Sequence, residues 1–344
     1  MKLEAISFKN NTLSIIDQTL LPQHFKIITL DSLNKSIEAI KKLKVRGAPA
    51  IGIIAAYTIY IEAKKLSQKN SLTKRSFNDV CKSVASSRPT AVNLFWAVRQ
   101  MEITFRKFSP NGNSILISEL KKRAISIHKK DKIKCSKIGE NGSPLIKNVN
   151  NVLTHCNAGM LATGGSGTAL SVIYEAHNSN KNLHVYVDET RPLGQGARLT
   201  YFELKHNNVE CTLLSDNAAG SLFAQKEIEA VIVGADRIAM NGDFANKIGT
   251  FPLAVLAKTF NIPFYVAAPI TTFDQNAKSK EDIPIEMRSK KEILSFWNID
   301  DELNYNVYNP AFDITESSYV SAFITDIGII KKPFTTNIKK SLQL

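Results

Sequence analysis

VLTHCNAGMLATGGSGTALSVIYEAH, residues 152–177, reads as a strand, a glycine-rich turn and a helix in direct succession. Residues 152–155 are short and apolar enough for a buried strand, and residues 167–177 carry a helical pattern. Working outward, further strand candidates stand at 184–187, 209–214, 230–234 and 263–267. Helical patterns at 197–206 and 247–260 lie among them. Short apolar strands alternating with helices predict an α/β fold with a parallel, doubly wound sheet. Ligands of such sheets bind beyond the carboxyl ends of the strands. The residues just past each strand therefore carry the most interest: Cys156-Asn157, Asp188-Glu189-Thr190-Arg191, Asp216-Asn217 and Asp236-Arg237.

Upstream the texture differs. Residues 1–30 hold short apolar patches suited to strands separated by turns. Leu33, Ile37, Ile40 and Leu43 then recur at helical spacing with lysines opposite. After Arg46-Gly47-Ala48-Pro49 comes AIGIIAAYTIYI, apolar on every side and predicted as a buried helix with Pro49 in its first turn. Ser87-Arg88-Pro89-Thr90 opens another helical stretch, and a further helix covers about 115–138. Asn141-Gly142-Ser143-Pro144 breaks the chain. The expected division is thus a mixed strand and helix domain at 1–144 and a parallel-sheet domain at 145–344. In the tail, 309–313 reads as a turn, and Thr315 as the cap of a helix through Ala322.

The whole chain has 344 residues, 44% hydrophobic and 22% charged, which excludes a disordered or collagen-like chain. No apolar stretch reaches the ~20 residues of a membrane span. The first residues, with Glu4 and Lys9, lack the apolar core of a signal peptide. These features predict a cytoplasmic protein. Its four cysteines, Cys81, Cys135, Cys156 and Cys211, form no CxxC pair or zinc spacing, so free thiols are expected. The net charge of +13 is spread along the chain rather than gathered in a basic groove. A diffuse excess of this kind is a solvated surface more often than a specific nucleic-acid interface.

Several segments carry candidate chemistry. The glycine-rich run is not a dinucleotide fingerprint, because Gly165-Ser166-Gly167 is followed by Leu170 where a third glycine is required. It also lacks the Gly-Lys-Ser/Thr of a phosphate loop. Such glycines bring backbone close to a ligand or to a packed helix, and both readings stay open. Cys156, one residue past a strand, is either a nucleophile or a small buried hydrophobe. Asp236 follows the apolar strand Val231-Ile232-Val233. Partial desolvation there would raise its pKa and suit a general acid, whereas a helix cap or a pair with Arg237 would be structural. Arg46, Arg88, Arg191 and Lys247 each stand beside a turn or a helix start, which makes a phosphate ligand plausible. The helix start after Arg46-Gly47-Ala48 also offers backbone N–H groups to an anion.

VRGAPAIGIIAAY (45–57), SRPTAVNLFWAV (87–98), LTHCNAGMLATGGSGTAL (153–170), VDETRPLGQGARLT (187–200), SDNAAG (215–220) and VGADRIAMNGDFANKIGT (234–250) occur in that order. Together they resemble the methylthioribose-1-phosphate isomerase family of methionine salvage. That family shares a superfamily with the regulatory subunits of translation initiation factor 2B. The resemblance covers about 45–330. It implies a small N-terminal domain, a Rossmann-like C-terminal domain, a homodimer, and no metal or organic cofactor. It implies conversion of 5-methylthio-α-ribose 1-phosphate to 5-methylthioribulose 1-phosphate. By resemblance Asp236 protonates the ring oxygen and Cys156 is the other essential group. The matching substrate contacts are Arg46, Gly47, Ala48, Arg88, Gln195, Asn246 and Lys247. Two alternatives remain at this point. One is an isomerase of another ribose 1-phosphate, such as ribose 1,5-bisphosphate or 5-deoxyribose 1-phosphate. The other is a non-catalytic regulatory subunit.

Overall fold

The computed structural model describes residues 3–88, 92–300 and 303–343, in two compact units. One comprises Met1–Lys134 and Met160–Gly167, the other Cys135–Gly159 and Thr168–Leu344.

The first unit opens with an antiparallel meander, β1 (Ile6–Lys9), β2 (Thr12–Ile16) and β3 (Ile27–Thr29). The Ser32 hydroxyl accepts from the Lys35 amide and so caps α1 (Leu33–Lys41). Next comes α2 (Ala48–Gln68), with Pro49 in its first turn and every side chain from Ala50 to Tyr60 buried, as an all-apolar sequence demands. The periodicity reading left out α3 (Lys74–Ala85). A capping box of Thr73 and Ser76 starts it, and Phe77, Val80, Cys81 and Val84 form its buried stripe. Then follow α4 (Val92–Phe108) and α5 (Asn113–Gly142). Pro89, Thr90 and Ala91 lie outside the described residues.

The division between units falls inside α5, after Lys134, rather than at residue 144. The helix continues through Asn141 and Gly142 into a 3-10 turn, Ser143–Ile146. Burial explains this. Ile138 and Ile146 sit in the second unit's core with Val172 and Ile173, and that packing overrides the local breakers.

The second unit alternates as expected. Its elements are β4 (Asn151–Thr154), α6 (Ala169–Ser179), β5 (His184–Asp188), α7 (Tyr201–His206), β6 (Cys211–Leu214), α8 (Ala219–Ala224) and β7 (Ala230–Val233). They continue as β8 (Arg237–Ile238), β9 (Phe244–Lys247), α9 (Thr250–Thr259), β10 (Phe264–Ala267), α10 (Lys291–Leu294), β11 (Phe312–Thr315), β12 (Ala322–Thr325), β13 (Gly328–Ile330) and α11 (Phe334–Ser341). Seven strands form one sheet in the order β13-β12-β10-β7-β4-β5-β6. All pairs are parallel except β12 with β13. The chain leaves β4 toward β5 and β6, then returns to β7 on the other side. The β4/β7 boundary is therefore the topological switch point. The core includes two clusters, one around Phe223, Phe264 and Phe323, the other around Leu170, Ile173 and Leu204. Among the described residues no helix is long and apolar enough to cross a membrane.

Three sequence expectations need correction. The 247–260 helix is shorter: Lys247 ends β9, Gly249 stands at the cap, and α9 begins at Thr250. The 309–313 segment is not simply a turn, because Phe312 starts β11. That strand runs antiparallel to β9 with Phe312 opposite Lys247 and Thr315 opposite Phe244. Thr315 ends this strand and caps no helix, while Ala322 opens β12. The strands pair with partners remote in sequence, and Phe312 and Ile314 pack against Ala239, Ala245 and Ile283. Local composition carries no trace of such pairing.

The 160–167 segment is held within the first unit by α5. Asp131 Oδ2 accepts from the Gly164 amide at 2.6 Å, and His128 Nε2 faces the Gly164 carbonyl at 3.3 Å. The other ring nitrogen of His128 meets the Tyr57 hydroxyl at 3.1 Å. A neutral ring satisfies both contacts, donating to the carbonyl and accepting from the phenol. Burial, with the Lys132 charge behind it, lowers the His128 pKa to about 4. Unfolded chains bind this proton near pH 6.5, so folding stability is complete above that value and falls as pH drops toward 4. The loss amounts to about 3 kcal/mol. Urea unfolding from pH 7 to pH 4 should show His128→Gln losing less stability than the parent over this interval. Equal losses would contradict a neutral buried His128.

Candidate active site

Cys156 and Asp236 stand off the carboxyl ends of β4 and β7, the adjacent parallel strands at the switch point. Both are partly buried. The backbone of Cys156 has φ +64, the left-handed region that costs a residue with a β-carbon about 1–2 kcal/mol. Its amide donates to Thr190 Oγ1 at 2.8 Å, and its carbonyl accepts from Thr200 Oγ1 at 2.6 Å. Thr190, also at φ +64, donates its hydroxyl to the Asp188 carbonyl at 3.0 Å. Asp216 caps this turn, taking the Thr190 and Arg191 amides on its two oxygens at 2.7 Å each.

Thr200 closes a π-helical turn, Gly196–Thr200, that runs into α7. The turn lies so close to β5 that a β-carbon on Gly196 would stand 1.7 Å from the Asp188 carbonyl oxygen. Only glycine permits that approach. Asn157 adds a donor to Thr200 Oγ1 at 3.1 Å and to the buried Glu203 at 2.8 Å. Gln195, immediately before the turn, is buried, and its Oε1 has no hydrogen-bond partner. An unsatisfied buried acceptor beside this loop is what a ligand hydroxyl would complete.

His155 ties the same strand end to the β9–α9 turn. Its Nδ1 lies 2.9 Å from Asp188 Oδ2, and its Nε2 lies 2.8 Å from the Ile248 carbonyl. A carbonyl only accepts, so Nε2 carries a proton, and one further proton lies between Nδ1 and Asp188. Burial by itself would lower the His155 pKa, but the hydrogen bond and charge of Asp188, with Asp216 and the Ile248 carbonyl, raise it. Burial raises Asp188 as well, against the pull of His155. Both directions express one proton shared by the pair. His155, Asp188 and Asp216 present ligand atoms within 4.8 Å of one another. Metal-binding spacing alone would flag them, but their atoms serve as hydrogen-bond partners. Both His155 nitrogens and both Asp216 oxygens are engaged as described, and only Asp188 Oδ1 lacks a partner.

The other expected contacts are divided between the two units. In the second unit, Asn246 is buried and donates to Thr250 Oγ1 at 2.9 Å. Lys247 Nζ reaches the Ala311 carbonyl at 2.8 Å and lies 5.0 Å from the Phe312 ring centre. The Asp236 amide donates to the Ala245 carbonyl at 2.9 Å, so the acid's backbone is bonded to the residue before Asn246. Arg237, a possible partner for Asp236, forms its ion pair with Asp274 at 3.0 Å. Arg191, a candidate phosphate ligand, stacks its guanidinium 4.0 Å from the Phe296 ring centre. In the first unit, Arg46, Gly47 and Ala48 stand at the N-terminal end of α2, and Arg88 follows α3. Sequence reasoning passed over His155 and Thr200. Nothing local marks a core histidine or a helical threonine, and only the partner atoms reveal their use.

Residues 44–332 match the initiation factor 2 subunit family. The chain is 48% identical over 341 residues to a methylthioribose-1-phosphate isomerase of Caldicellulosiruptor saccharolyticus, covering 98% of this chain and 99% of that one. The chain belongs to the methylthioribose-1-phosphate isomerase family. It is also 45% identical over 335 residues to a 5-deoxyribose 1-phosphate isomerase of Petrotoga mobilis, covering 97% of this chain and 96% of the other. Among solved structures it is similar to 5-methylthioribose 1-phosphate isomerase from Pyrococcus horikoshii, with TM-score 0.92 and 38% identity over 100% of this chain and 97% of that one.

The β9–α9 turn yields a direct test of this architecture. Gly249 has φ +105, and a β-carbon there would lie 2.7 Å from His155 Cε1. Gly249→Ala should cost about 1–3 kcal/mol of stability in urea unfolding and lower turnover through displacement of His155. Parent-like stability and rate would show that the turn yields freely.

Proposed function

We propose that this chain is an aldose–ketose isomerase that converts 5-methylthio-α-ribose 1-phosphate to 5-methylthioribulose 1-phosphate in methionine salvage, as a cytoplasmic homodimer. The observation that carries the reading is Cys156 and Asp236 at the adjacent carboxyl ends of β4 and β7, in a chain matched end to end by isomerases. Phosphate on C1 locks the sugar as a ring, so ordinary enolisation has no free aldehyde to start from. Asp236 protonates the ring oxygen, which becomes the C4 hydroxyl as the ring opens. The C2 hydrogen must then reach C1 while the C2 hydroxyl gives up its proton to become the ketone, and that proton balances the one Asp236 gave to the ring oxygen. Cys156 either takes the C2 hydrogen as a proton or stabilises its passage as a hydride. Gln195 and Asn246 hold sugar hydroxyls. Lys247, Arg46 and Arg88, with the Gly47 and Ala48 amides, balance the phosphate charge.

Purified protein incubated with 5-methylthioribose 1-phosphate, without added metal or cofactor, should yield a 1-phosphoketose by proton NMR. In D2O, deuterium at C1 of the product identifies proton transfer through a base that exchanges with solvent. Asp236→Asn and Cys156→Ala should each lose about 10²–10⁴-fold in turnover while folding normally. A near-normal rate in either variant refutes the role given to that residue. The Petrotoga relative's name motivates a second reading, in which 5-deoxyribose 1-phosphate is the substrate. Side-by-side kcat/KM values decide between the two sugars. Sedimentation of the purified protein tests the dimer.

A further inference from the structure

The thiol of Cys156 owes its position to its backbone. A β-strand continued from β4 would send the side chain elsewhere, but the left-handed φ of +64 turns the Cα–Cβ bond out of the strand's alternation. Two buried hydroxyls from different elements hold that conformation. Thr190 Oγ1 accepts the Cys156 amide at 2.8 Å from the turn after β5. Thr200 Oγ1 donates to the Cys156 carbonyl at 2.6 Å from the π-helical turn. Both threonines are fully buried, and each is fixed in turn. Asp216 grips the Thr190 amide, the Thr190 hydroxyl leans on the Asp188 carbonyl, and Asn157 donates to Thr200.

We propose that Thr190 and Thr200 are positioning residues for Cys156, acting through its amide and carbonyl to set the thiol against the reacting C1–C2 bond. This rests on the functional reading of Cys156 given above. The hydroxyls fix the two peptide groups that flank a single α-carbon, one on each side. A carbonyl or amide at this depth without its partner would have to find another, and the nearest relief is rotation of the Cys156 backbone toward an ordinary strand conformation.

The test compares steady-state kinetics on 5-methylthioribose 1-phosphate for Thr190→Val, Thr200→Val, the two matching serine variants and Cys156→Ser, with a thermal melt of each. Valine keeps the shape and loses the hydroxyl. The valine variants should fold, hold KM near the parent value and lose kcat by on the order of 10–100-fold. The serine variants should recover most of that loss. A folded valine variant with parent-like kcat overturns the proposal, as does a loss expressed entirely in KM. If the valine variants do not fold, the serine variants decide. Near-parent kcat supports the hydroxyl as the operative group, and a loss of about tenfold or more overturns it. Near-parent turnover by Cys156→Ser would instead remove the reading on which the proposal stands. A strongly impaired Cys156→Ser beside unimpaired valine variants overturns the proposal alone.

Discussion

When β4 ends at the switch point, the next peptide groups lose their ladder partners, and the structure around the candidate site follows from how those groups are satisfied. The Cys156 amide and carbonyl are both taken by threonine hydroxyls rather than by a strand. For Thr190 to reach the amide, the turn after β5 must itself adopt a left-handed residue, which Asp216 holds by two amides. For Thr200 to reach the carbonyl, the following helix must begin with a π turn pressed against the Asp188 carbonyl, which demands a glycine at 196. One unmet pair of backbone groups thus specifies residues in three separate segments.

The charges beneath this arrangement are economical. Desolvating an isolated ion is costly, and His155 and Asp188 avoid that cost by sharing one proton between them. The ring's second nitrogen is spent on the Ile248 carbonyl, so the imidazole bridges the Cys156 end of β4 to the turn that follows Asn246 and Lys247. Asp216 accepts a backbone amide hydrogen bond on each of its oxygens. Three titratable side chains with metal-like spacing, two buried and Asp216 partly so, serve as a scaffold, because all but one of their donor and acceptor atoms are directed at protein partners.

The charge excess belongs to a different level of organisation. Forty-four basic residues against thirty-one acidic ones give the chain its net +13, and ion pairs such as Lys35–Asp31, Lys42–Glu38 and Lys122–Glu119 are exposed and short in sequence range. Such pairs contribute little to stability. Their collective field suits an anionic substrate, and the choice of sugar falls to the side chains near C5. A methylthio and a deoxy substituent differ in size and apolarity while the 1-phosphate is common to both, so relatives bearing either name are compatible with one chemistry at C1 and C2.

Local pattern determined much of this protein. The alternation after residue 149 specified the parallel sheet, the all-apolar run after Pro49 specified α2, and the strand-end rule directed attention to Cys156, Asp188, Thr190, Asp216 and Asp236. Family resemblance added the roles proposed for Cys156 and Asp236, which no spacing shows. Tertiary structure decided the rest. The helix α5 outran the Asn141-Gly142-Ser143-Pro144 break because Ile138 and Ile146 had a core to enter. The 312–315 strand formed because β9 offered it an edge. Thr200 and His155 acquired their use from partners 44 and 93 residues away, Cys156 and Ile248 respectively. Periodicity records which face of an element is apolar, since that is repeated along the chain. A single hydrogen bond between distant residues is not repeated, so only the folded chain reveals it.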